Sequence, residues 1–71
     1  MSHEFTAVFE KDGDGFFAYC PEVPEANGQG TTMESCRANL AEAIAFVLDD
    51  RRQDGLRGAP PDAIIGTVAV A

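Results

Sequence analysis

The sequence predicts an α+β domain of order β-β-β-α-β, in which one long helix covers one face of a four-stranded mixed sheet. Three observations carry this reading. Phe5-Thr6-Ala7-Val8-Phe9 alternates with the period of a half-buried strand. After Thr31-Thr32-Met33-Glu34 the apolar positions Cys36, Leu40, Ala43, Ile44, Val47 and Leu48 follow helical spacing. The near-continuous apolar run Ala63-Ile64-Ile65-Gly66-Thr67-Val68-Ala69-Val70 then reads as a buried central strand.

The elements follow in order. The first strand puts Phe5, Ala7 and Phe9 on one face. Lys11-Asp12-Gly13-Asp14-Gly15 supplies hairpin chemistry, because Asp and Gly both tolerate positive φ. The second strand, residues 16–20, places Phe17 and Tyr19 on a shared face. Pro21 and Pro24 end it, since neither donates to a ladder. A short third strand falls at residues 26–29, weakened by Gly28 and Gly30.

For the helix, Thr31 and Glu34 have capping-box spacing, with Thr32 as the competing cap. Arg51 and Arg52 suit the negative end of its dipole, and Gly55 or Gly58 ends it. Ala59-Pro60-Pro61-Asp62 is a stiff linker. A right-handed crossover then sets the last strand parallel to the first.

The 71 residues make a single domain, 1–71. One core of this size rarely supplies more than ~3–5 kcal/mol, so a homodimer or higher oligomer is expected. Twelve acids against five bases give a formal net charge of −7. That charge excludes the basic footprint of direct nucleic-acid binding and favours a basic protein partner. The sequence has no apolar run near the ~20 residues of a membrane span. Met1-Ser2-His3-Glu4 lacks the basic and apolar regions of a secretory signal. Cys20 and Cys36 read as reduced core thiols of a cytoplasmic protein.

The order of motifs resembles the HicB-like antitoxin family over nearly the whole chain. The resemblance rests on Phe9-Glu10, the turn at residues 12–15, Phe17-Ala18-Tyr19 and Pro21-Glu22-Val23-Pro24. It continues through Gln29-Gly30, Thr32-Met33-Glu34, and Asn39 with Glu42-Ala43-Ile44. The chain departs from the family pattern at Glu25 and Gly28. The resemblance implies a partial ribonuclease-H-like fold. It also implies a protein that binds and neutralises a small basic toxin, HicA, which cleaves messenger RNA. Many members also carry a C-terminal DNA-binding domain that represses their own operon. Nothing resembling that domain follows Ala71 here, so the expectation is a stand-alone form that does not bind DNA.

The expected partner-binding residues are Glu10, Asp12, Asp14, Glu22 and Glu25, which form an acidic surface for such a toxin, together with Phe46. Phe46 points away from the Leu40, Ile44 and Val47 stripe, beside Asn39, Glu42 and Asp49. It is either an interface anchor or a singly exposed aromatic. No catalytic, cofactor-binding or metal-binding residues are expected. Asp12-x-Asp14 begins like a calcium loop, but Phe16 holds the next ligand position and Phe17 the required glycine position. A remnant nuclease needs converging carboxylates; Glu10, Glu34 and Glu42 are available, but the last strand has none. His3 is a terminal residue without a nucleophile beside it. The alternative to an antitoxin is an oligomeric interaction module with a partner other than a toxin.

Overall fold

A computed structural model describes residues 4–70. Strands β1 (Val8–Asp12), β2 (Gly15–Cys20) and β3 (Val23–Gly30) form an antiparallel sheet in that order, and helix α1 (Met33–Arg57) follows. The β1–β2 ladder runs from Val8 opposite Tyr19 to Asp12 opposite Gly15. That pairing leaves a two-residue turn, and Gly13 takes φ 60 there. A glycine with positive φ at the first turn position is what a type II′ hairpin requires.

β3 is longer than the sequence predicts. It is 8 residues and includes Pro24. The pairing shifts between Tyr19, opposite Asn27, and Cys20, opposite Val23, so residues 24–26 bulge out of the ladder. A proline in a bulge of an edge strand forfeits no ladder hydrogen bond, and so Pro24 does not end the strand.

The core lies between this sheet and the helix. Ala18, Cys20, Val23 and Ala26 from the sheet are buried with Cys36, Leu40 and Ile44 from α1. Ala7, Phe9, Phe16, Ala43 and Val47 pack around them. Most of these side chains are small, which brings the two backbones close. A Cβ built on Gly28 would lie 2.6 Å from the Leu40 amide nitrogen, and one on Gly30 would lie 2.7 Å from that of Cys36. The glycines that weaken β3 as a strand therefore form the seat of the helix.

The helix begins one residue later than the Thr31–Glu34 spacing suggests. Thr32 is the N-cap: its Oγ1 accepts from the Ser35 amide at 3.0 Å, and the Ser35 Oγ accepts from the Thr32 amide at 3.1 Å. Serine at the third helical position thus does what glutamate does in the usual capping box. Gly55 lies within the helix and Gly58 caps it, with Arg57 as the base of the last turn.

Two expectations about strands need correction. Residues 4–7 form no strand, so β1 begins at Val8, and Phe5 is exposed. Residues 63–70 form no strand either, so the sheet is three-stranded and wholly antiparallel rather than four-stranded and mixed. Ile64 is 99% and Val68 90% exposed. The physical reason lies in the helix. Residues 49–57 are all exposed, and beyond Arg51, which still reaches Glu25 of β3, the helix continues for six residues before the chain can return to a sheet edge. His3 lies outside the described residues.

The cap assignment is testable by urea denaturation. Thr32→Ala is expected to cost about 1 kcal/mol, whereas Thr31→Ala leaves stability unchanged. A larger loss at Thr31 would restore the earlier start.

Candidate functional site

The structure divides the six expected partner-binding residues into three groups. Glu10 and Asp12 end β1, and Asp14 follows in the hairpin turn; all three are exposed. Among the described residues, no ion pair or side-chain hydrogen bond engages them. Lys11 turns its ammonium over the Phe16 ring, 4.8 Å from the centroid, which leaves the acids as the outward charges of the hairpin.

Glu22 and Glu25 are instead engaged within the chain. Thr6 donates to Glu22 three times, from its amide at 3.1 Å and 3.2 Å and from its hydroxyl at 2.7 Å. The Cys20 thiol adds a donor at 3.3 Å. The Thr6 hydroxyl above all, then backbone donation at Glu22 and the thiol, hold this carboxyl at about 2, below its ordinary 4.5. Glu22 is thus a clasp that ties the segment before β1 to the β2–β3 turn. Glu25 forms an ion pair and hydrogen bond with Arg51 of α1, which lowers its pKa. Neither carboxylate is a free docking charge, and charge reversal at either breaks an internal contact. The sequence places Thr6 in a strand and Arg51 near the helix end but does not pair them with Glu22 and Glu25, because the partners are distant in the chain.

Phe46 is 76% exposed on the outer face of α1, on the side the helical phase predicts. It lies roughly 20 Å along the helix from Met33. The hairpin acids adjoin the opposite end, because Gly15 touches Gly30 and Thr31 just before the helix begins. Phe46 and the hairpin acids therefore do not form one patch.

Two apolar surfaces also remain open. On the sheet face away from α1, Val8 lies opposite Tyr19 and Glu10 opposite Phe17. Beside β1, an apolar groove of about 380 Å³ is lined by Phe5, Ala7, Leu40, Ile44, Ala45 and Leu48, with Arg37 and Ala41 completing it. Leu48, which the helical stripe places in the core, is 37% exposed there, and Phe5 is 38% exposed. Arg37 turns its guanidinium over Phe9, 5.3 Å from the ring centroid. Cys20 and Cys36 are buried and free. Among the described residues, no three His, Cys, Asp or Glu side chains converge as a metal site would need, and no helix is long and apolar enough to cross a membrane.

A single helix on a three-stranded sheet, with its acidic and apolar features at the surface, defines a small α+β protein with several exposed candidate binding surfaces. The chain belongs to the UPF0150 family. It is 44% identical to a UPF0150 protein of Synechocystis sp. over 71 residues, covering 99% of each chain. It is 40% identical to a UPF0150 protein of Helicobacter pylori over 50 residues, 70% of this chain and 69% of that one. A second Synechocystis UPF0150 protein is 33% identical over 48 residues, 66% of this chain and 61% of that one. No family model matches the chain. No solved structure matches it either.

The Glu22 clasp makes a pH-dependent prediction. A carboxyl whose pKa is lowered by folding stabilises fully above its unfolded value and loses that contribution as pH falls through the folded one. Wild type should therefore exceed Glu22→Gln in thermal stability at neutral pH. The difference should shrink between pH 4.5 and about 2. A difference that does not change with pH would show that the Thr6 contacts do not depend on the charge.

Proposed function

We propose that this protein is a HicB-like, antitoxin-type binding protein. In this reading it neutralises a small basic HicA-like toxin by covering the surface with which the toxin grips messenger RNA. The observation that carries the reading is the acidic hairpin: Glu10, Asp12 and Asp14 are exposed in a chain of net charge −7. A basic RNA-cleaving protein presents cationic side chains to phosphates, and a carboxylate-rich hairpin competes for those side chains. Membership of the UPF0150 family is consistent with this reading, as are the family motifs. The mechanism is steric and electrostatic. Catalysis by this chain is no part of it, and the expected location is the cytoplasm.

A second reading, an oligomeric interaction module whose partner is not a toxin, is favoured by a different observation. The groove beside β1 is open, and the apolar side chains of Ile64, Ile65, Val68 and Val70 are exposed. The two readings are compatible if association completes the four-stranded, partial ribonuclease-H-like sheet and the hairpin then meets the toxin.

The test uses the small basic protein encoded beside this gene, if that neighbour carries a histidine suited to RNA cleavage. Equimolar addition of this protein should suppress its cleavage of RNA. Reversal of Glu10, Asp12 and Asp14 to Lys should slow association at least tenfold at low ionic strength and less at ~150 mM salt. Phe46→Ala should weaken the complex by ~1 kcal/mol or more if Phe46 is an anchor, with thermal stability unchanged because the ring is exposed. Undiminished cleavage, or association unaffected by the triple reversal, would reject the antitoxin reading.

A further inference from the structure

We propose that residues 63–70 of one copy lie in the groove beside β1 of a second copy as an added strand, and that the exchange is reciprocal. The inference rests on the sheet-completion part of the reading above and not on a toxin.

The inserting segment is suited to burial rather than to water. Residues 63–70 contain no charged side chain. Yet Ile64, Ile65, Val68 and Val70 are 99%, 67%, 90% and 65% exposed. An uncharged run rich in β-branched residues gains from a ladder and an apolar floor.

The receiving site has the complementary properties. Among the described residues β1 pairs with β2 alone, so its other edge offers unpaired backbone N–H and C=O groups. The groove at that edge is lined by Phe5, Ala7, Leu40, Ile44 and Leu48. Its one charged lining residue is Arg37, whose guanidinium lies over the Phe9 ring, and no carboxylate lines it, in a chain whose net charge is −7. It is therefore poorly suited to a basic segment and well suited to a neutral apolar one. Covering it buries Phe5 and Leu48, two large apolar side chains now in contact with water.

The geometry favours a second copy over the chain's own segment. Gly28 lies against Leu40 and Gly30 against Cys36, so α1 runs antiparallel to β3 and hence to β1. Residues 49–57 extend α1 roughly 13 Å beyond Leu48. A turn follows at Pro60, where the Ala63 amide donates to the Pro60 carbonyl at 3.0 Å. The molecule is accordingly 53 Å long against 24 × 16 Å in its other dimensions. Residues 63–70 form no ladder with their own sheet and stay exposed, which leaves them available to the groove of another copy. A reciprocal exchange uses each segment and each groove once and closes as a two-fold dimer.

The full chain is tested by light scattering and by cross-linking. Wild type should be a dimer at high micromolar concentration. Val68→Asp, at a position exposed in the single copy, should raise the dimer dissociation constant at least tenfold and leave the helical circular dichroism unchanged. Ala41→Cys combined with Val68→Cys, treated with a short bis-maleimide, should yield links between chains, since Cys20 and Cys36 are buried. A monomeric wild type, or a Val68→Asp dimer as tight as wild type, would overturn the proposal. Links formed only within one chain would overturn it too, because the segment would then fold back on its own groove.

Discussion

The close approach of α1 to β3 is the constraint on which the rest of this structure depends. It is set by the absence of side chains at Gly28 and Gly30, where a Cβ would fall 2.6 Å and 2.7 Å from helix backbone nitrogens. Those atoms cannot be turned aside as a flexible side chain can. With the helix seated there, it lies chiefly over β3 and in part over β2. The buried residues of α1, namely Cys36, Leu40 and Ile44, then face a floor of Ala18, Cys20, Val23 and Ala26. The side of α1 toward β1 is left without a floor, and the apolar groove is the result. One packing constraint thus produces both the core and the open surface.

Such a core is small, and contacts at its margins supplement it. Glu22 ties Thr6 and Cys20 together at one end of the sheet, and Glu25 reaches Arg51 on the helix. These carboxylates are surface groups by exposure, yet they act as fasteners between segments distant in sequence. The hairpin acids Glu10, Asp12 and Asp14 have no such contact among the described residues and lie at the end of the sheet where the helix begins. The hairpin acids do not line the groove, although Glu10 borders the open sheet face opposite Phe17.

Much of this was legible in the sequence. The hairpin followed from Asp12 and Gly13, and the helical face from the spacing of Cys36, Leu40 and Ile44. Phe46 lay outside that face, as its phase requires. The misreadings have a common cause, which is that local pattern does not report tertiary contact. Gly28 and Gly30 lower strand propensity, and only the position of the helix reveals why glycine is needed there. Glu22 and Glu25 resemble free loop charges until Thr6 and Arg51 are brought to them by the fold. Residues 63–70 have the composition of a buried strand, but composition does not specify which edge a strand pairs with. In the single copy they pair with none.

The glycine seat is tested most directly by the stability of two alanine variants under chemical denaturation. Gly28→Ala places a methyl group against the Leu40 backbone and should lose about 2 kcal/mol or more. Gly55→Ala adds one inside the same helix where nothing lies within 4 Å. It should gain up to about 1 kcal/mol from helix propensity. A Gly28→Ala protein as stable as wild type would contradict the account, because the helix would then not be held where the core and the groove both require it.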